Sequence, residues 1–225
     1  SMSDCPEVNL VAFDLDDTLY SHRQYVLAGF EAVSEEIKTR TGTDIYDDLV
    51  VAYFGDEEYH RTFDVVLESH NLPIEMVDDL VAEYHSVVGD LSLYPAVPQV
   101  LEALADHYRL GLITDGKNAR KKMKTLGLLG QFDFVLATEH HGFSKQNETP
   151  FRLLLNHFET EPNHAVYVGN DPRIDFRQPN QLGMHTVHLR RGTLASIQPP
   201  DNDSIPDHVI EEVETLPEIV RRVES

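Results

Sequence analysis

Apolar residues fall along this chain in two rhythms. Leu10 to Phe13 form a short continuous run bounded by polar residues, the pattern of a strand buried on both faces of a parallel sheet. After Tyr20 the spacing changes. Val26, Phe30, Val33 and Ile37 recur at three- and four-residue intervals, which predicts a helix broken by Thr41-Gly42-Thr43. A second helix is predicted over Ile45 to Phe54. A third, Glu57 to His70, carries Phe63, Val66 and Leu67 on one face, and Asn71-Leu72-Pro73 stops it. A fourth runs through Val77, Leu80, Val81, Tyr84 and Val88. Roughly 70 residues of helix between two strands are far more than a parallel crossover needs, so the pattern predicts an inserted helical module.

From Tyr94-Pro95 onward the rhythms alternate. Val97, Val100, Leu101, Leu104, Ala105 and Tyr108 mark an amphipathic helix, followed by a strand from Leu110 to Thr114. Further strands are expected at Phe134 to Ala137, Ala165 to Gly169 and Thr186 to Leu189. Thr149-Pro150 reads as an N-cap and first helical residue, with Phe151, Leu154, Leu155 and Phe158 on the buried face. Alternation of strand and helix implies an α/β fold with a parallel sheet and right-handed crossovers. Gln198 to Ser204 reads as a loop before a short helix near Leu216 to Val223, and no internal repeat is visible.

Composition narrows the partners. The chain has 225 residues, 39 acidic against 18 basic, and a formal net charge of -21. Nucleic acid and anionic membrane need clustered cations and are not expected. An acidic, self-repelling surface of this kind is also compatible with adaptation to salt. Cys5 alone cannot form an internal disulfide, which fits a reducing cytoplasm. No apolar run approaches the roughly 18 residues of a membrane span, and the N-terminus lacks a signal-peptide pattern; Ser1 before Met2 reads as an expression scar.

The chemistry gathers at strand ends, where open α/β sheets place their sites. The first strand runs into Asp14, Asp16 and Asp17, whose carboxylates repel one another unless a cation or a shared proton intervenes. Strand two ends in Thr114-Asp115-Gly116-Lys117, a hydroxyl and a glycine loop suited to phosphate oxygens. Strand four ends in Gly169-Asn170-Asp171, with Asp175 beyond, offering oxygen groups opposite Asp14 for a hard cation. Apart from Lys38, every lysine (Lys117, Lys121, Lys122, Lys124, Lys145) lies in or beside these segments. Lys121, Lys122 and Lys124 read as a solvated helix face. Lys117, Lys145 and Arg23 are the candidates for an anionic substrate. The 12 histidines show no metal-ligand spacing; His140-His141 precede Lys145, and His22 stands at the entry to the helical module.

Taken in order, these segments resemble the four motifs of the haloacid dehalogenase-like (HAD) hydrolases: Asp14-x-Asp16-x-Thr18, Thr114, Lys145, and Gly169-Asn170 with Asp175. The resemblance covers residues 8 to 20 and 94 to 190. It implies a Rossmann-like core, residues 1–20 and 93–225, with a five-stranded sheet in the order 3-2-1-4-5, and a helical C1-type cap of subfamily I at 21–92. It also implies a Mg2+-dependent phosphatase acting on a small phosphorylated metabolite. Asp14 would be the nucleophile that forms an aspartyl phosphate, and Asp16 the acid and base. Lys145 would neutralise charge, with Thr114, Asp115, Gly116, Lys117 and Arg23 binding phosphate and substrate. Asp14 and Asp16 would hold the metal together with Asn170 or Asp171, and Asp175 would hold Lys145 or a metal-bound water. The chain departs from the family pattern at Gln146, often proline, and at Asn170, usually aspartate. The presence of Asp16 argues against dehalogenation, because a halide leaves without a proton. A phosphoryl-transfer mutase and a non-catalytic binding member, the latter motivated by Asn170, are the alternatives.

Overall fold

The computed structural model describes residues 7–55 and 61–225. Cys5, Ser1, Met2 and the predicted start of the third helix at Glu57 lie outside the described residues. The first strand, β1 (Leu10–Phe13), is followed by four helices: α1 (His22–Thr41), α2 (Tyr46–Gly55), α3 (Thr62–Ser69) and α4 (Val77–Ser86). Then come α5 (Val97–Ala105), β2 (Arg109–Thr114), α6 (Ala119–Thr125), β3 (Phe134–Ala137), α7 (Thr149–His157), β4 (Ala165–Gly169), α8 (Arg177–Leu182), β5 (His185–Leu189), β6 (His208–Ile210) and α9 (Leu216–Val223). The chain divides into two compact units, Ser1–Ser21 with Ser92–Ser225, and His22–Leu91.

In the first unit six parallel strands pair in the order β3-β2-β1-β4-β5-β6. The expected sheet of five strands therefore gains a sixth at its edge. β6 was hidden because it is only three residues long and its middle residue, Val209, is half exposed, too little for a periodic signal. The connections leave β1 toward β2 on one side, and the chain later returns to β4 on the other. The C-terminal ends of β1 and β4 thus flank the topological switch point.

Apolar side chains seal both faces. Leu10 and Ala12 pack with Ile113, Phe151, Leu154 and Tyr167, and the Phe151 and Tyr167 rings meet edge to face at 5.1 Å. Phe13 meets Phe132 edge-on at 6.2 Å. A strand buried on both sides can shed its hydrophobic pattern only at its end, so the first polar group after Phe13 is delivered to the sheet's rim.

The second unit is built on the face predicted from the sequence. Val26, Phe30, Val33 and Ile37 of α1 pack against Leu49, Val66, Leu67, Met76 and Leu80. Helix α4 ends at Ser86, short of Val88, where Gly89 takes a positive φ of 83°. Arg23 stacks its guanidinium 4.1 Å from the centroid of Phe54 inside this unit. Among the described residues no helix is long and apolar enough to cross a membrane.

Candidate active site

Asp14 is the first residue beyond β1, and its amide still pairs with the Val168 carbonyl at 2.9 Å, which ties it to β4. Its side chain is 7% exposed. Oδ1 accepts from Lys145 Nζ at 2.6 Å and Oδ2 from the Thr18 hydroxyl at 3.1 Å. Lys145, equally buried, bridges to Asp175 Oδ1 at 2.7 Å. Asp175 has no exposure at all, and its Oδ2 accepts the amides of Asn170 at 3.0 Å and Asp171 at 2.8 Å. Tyr167 Oη adds a long donor to Asp175 at 3.4 Å. Gly169 makes this possible: a Cβ there would lie 2.5 Å from the Asp175 carboxylate. One carboxylate thus clamps the loop after β4 to the lysine that serves Asp14.

The electrostatics follow from burial. Two carboxylates and one ammonium sealed together carry one excess negative charge, which low dielectric makes costly. Burial pushes the Asp14 carboxyl up to about 8; Lys145 opposes the shift, and Asp175 and Asp16 add to it. Burial alone would lower Lys145, but Asp14 and Asp175 outweigh it and hold the ammonium well above its ordinary value. A proton on Asp14, or a cation beside it, relieves the excess.

Asn170 adds a further polar group beside Asp14. The Asn170 side-chain amide lies against Asp14 Oδ2 and the Asp16 backbone carbonyl, and with its NH2 turned to them it donates at 2.8 and 3.1 Å. Rotating the amide by 180° puts its oxygen in the same place. Asp14 Oδ2, the Asp16 carbonyl and Asn170 Oδ1 are then neighbouring oxygens, the atom type a hard dication takes as ligand. The Asn170 backbone is fixed as well, its carbonyl accepting from His188 Nε2 at 3.0 Å. Asp171 is committed elsewhere: its two carboxylate oxygens accept from Arg173 Nε and a terminal guanidinium nitrogen at 2.9 and 3.0 Å.

The other anticipated residues divide. Thr114 is buried, and its hydroxyl caps the Gly116 amide at 3.1 Å. The Asp115 carboxylate braces the next motif, accepting from the Thr138 hydroxyl at 2.6 Å and the Lys145 amide at 3.1 and 3.2 Å. Lys117 is exposed beside this loop, whereas Arg23 belongs to the helical unit. His140 and His141 are exposed, and His141 stacks on Phe143 at 4.9 Å.

Asp16 brings in residues that the sequence reading missed. Its Oδ1 accepts from the Tyr20 hydroxyl and from Lys122 Nζ, the latter at 2.9 Å. Lys121 and Lys124 are exposed as expected, but Lys122 is 1% exposed, so the solvated helix face is corrected at that residue. The signal was present. Ala119, Met123 and Leu126 form a buried helical stripe, and Lys122 occupies its i+3 slot.

The HAD family model, described as haloacid dehalogenase-like hydrolase, matches residues 11–189. The chain belongs to the haloacid dehalogenase-like hydrolases. A glyceraldehyde 3-phosphate phosphatase from Methanopyrus kandleri is 30% identical over 96% of this chain and 98% of its own length. Among solved structures, a 2-haloacid dehalogenase from Pseudomonas syringae is 26% identical with a TM-score of 0.67, covering 96% of this chain and 99% of that one. A HAD hydrolase from Bacillus subtilis bound to magnesium superposes with a TM-score of 0.75 at 16% identity, covering 95% of this chain and 99% of its own, a likeness of fold.

Proposed function

We propose that this HAD hydrolase is a Mg2+-dependent phosphomonoesterase of a small phosphorylated metabolite, working through an aspartyl phosphate on Asp14. The observation that carries the reading is the junction at Asp14, where a buried lysine, an oxygen-rich cation site and a tethered second carboxyl, Asp16, meet one nucleophilic group. Relatives named as phosphatases support the reaction class. Asp16 separates it from the dehalogenase neighbour: an alkoxide leaving group needs a proton and a halide does not.

The chain's own residues supply most of the reaction. An oxygen of Asp14 forms a bond to phosphorus as the bond from phosphorus to the ester oxygen breaks, and Asp16 gives its proton to that oxygen. A water oxygen then bonds to phosphorus, the Asp14 acyl phosphate bond breaks, and the water's proton returns to Asp16. Lys145 offsets the charge of Asp14 and of the phosphoryl group, its own position set by Asp175 and by the Asp115 brace on its amide. Thr114 and Gly116 shape the phosphate loop. Asp14, the Asp16 carbonyl and Asn170 would hold Mg2+, which when bound supplies Lewis-acid neutralisation of phosphoryl oxygens. The helical unit, inserted between β1 and β2, is read as the cap. Arg23 within it and the exposed Lys117 are the candidates for the substrate's remaining charge.

The test is phosphate release from a panel of phosphorylated metabolites, including glyceraldehyde 3-phosphate and phosphoserine, with and without Mg2+, for the wild type and Asp14→Asn. Metal-dependent release that vanishes in the variant supports the reading. Release that survives Asp14→Asn, or isomerised product without free phosphate, overturns it.

A further inference from the structure

Lys122 is a lysine with almost no solvent access, drawn inward from a short helix to meet Asp16 Oδ1 at 2.9 Å. Packing does not explain it, because a methionine or leucine would complete the Ala119, Met123 and Leu126 stripe without a charge to desolvate. The Tyr20 hydroxyl donates to the same oxygen. Gly116 closes the arrangement: a Cβ there would overlap Asp16 Oδ2 and lie 3.2 Å from Lys122 Nζ. Two donors on one oxygen and a backbone surface against the other fix the plane of this carboxyl.

We propose that Lys122, seconded by Tyr20, is a positioning residue that aims the Asp16 carboxyl at the leaving-group oxygen. The inference rests on the phosphatase reading above. With Oδ1 engaged by both donors, Oδ2 is the oxygen that carries the proton. That proton passes to the ester oxygen as its bond to phosphorus breaks, and Asp16 is left as the carboxylate that later takes a proton from water. In this role Lys122 acts through Asp16 and not on phosphorus.

Leaving-group dependence tests this. In a series of phosphate monoesters from alkyl alcohols to p-nitrophenol, kcat/KM reports the steps up to formation of the aspartyl phosphate. An alkoxide needs its proton in that step, and p-nitrophenolate leaves without one. Lys122→Met is therefore expected to lower kcat/KM for alkyl phosphates by about 10²-fold, within the range that a positioned acid contributes, while p-nitrophenyl phosphate changes by less than about threefold. Lys122→Arg, which keeps a donor cation, is expected to recover part of the alkyl activity. A loss equal across the series, no loss, or a gain would overturn the positioning role while leaving the phosphatase reading intact. If Lys122→Met does not fold, Tyr20→Phe removes the second donor from the same oxygen and must show the same leaving-group pattern; a flat response there overturns the proposal. A wild type that hydrolyses no member of the series refutes the phosphatase reading, and the positioning role falls with it.

Discussion

Replacing Asp175 by asparagine exchanges one carboxylate oxygen for an NH2, and its cost can be worked from the contacts. The carboxylate has no solvent exposure and accepts from Lys145 Nζ on one oxygen and from the amides of Asn170 and Asp171 on the other. An asparagine keeps a single acceptor oxygen and sets an NH2 against a donor, either the ammonium or the amide pair. At least one buried donor loses its partner, costing about 1–3 kcal/mol. Lys145 keeps Asp14 as its counter-charge, so no buried ion is left unpaired and the lost hydrogen bonding bounds the effect. A domain of this length shifts by about 2–4 °C per kcal/mol, which places the melting temperature about 2–12 °C lower. Chemical denaturation with an unchanged slope, run beside Arg173→Ala as a partly exposed salt-bridge control expected to lose no more than about 1 kcal/mol, measures it. If Asp175→Asn proved as mild as that control, the role of Asp175 as the clamp between the β4 loop and Lys145 would be refuted.

Other consequences are as direct. Asn170→Asp adds a charge at the cation site, so Mg2+ affinity measured by calorimetry is expected to rise by about tenfold or more; unchanged affinity would remove Asn170 from the ligand set. Gly116→Ala drives a methyl into Asp16, and phosphate release is expected to fall about 10²-fold with little change in stability. Asp14 gives a pH signature. Its carboxyl lies at about 8 in the folded, metal-free protein against 3.8 for an unperturbed aspartate, so its contribution to stability is fully present below 3.8 and lost as pH rises through about 8. Denaturation in a chelator at pH 5, 7 and 9 should show wild-type stability falling relative to Asp14→Asn; a flat difference would contradict the burial of that charge.

Much of the architecture was legible because burial writes itself into spacing. The strand at Leu10, the α1 stripe and the strands at Phe134 and Ala165 stand where the periodicity put them. The C-terminal edge did not announce itself, since three residues with an outward-facing valine carry no period. At the candidate site the sequence supplied the residue types but not their directions. Asp115 sits in a loop that reads as phosphate-binding, yet its carboxylate serves the Lys145 amide, a contact created when β2 and β3 pair. Lys122 was concealed by its neighbours: within Arg120-Lys121-Lys122-Met123-Lys124, charge composition suggested solvent, and only the i, i+3, i+4 relation to Ala119 and Met123 marked it as inward.

The order in which the sheet can be assembled follows from its register. Leu10 of β1 faces Arg109 on one side and Ala165 on the other, so the central strand is made first and must wait for both neighbours. At roughly 5–20 residues per second of synthesis, the first partner trails by about 5–20 s and the second by longer. During that interval Leu10 to Phe13 and the acidic residues behind them have no sheet to join, while the helical segment, whose contacts are local, can already close on itself. The nucleophile therefore acquires its surroundings late in folding, and a ribosome stalled before Gly169 would carry a formed helical unit beside a strand still without its β4 partner.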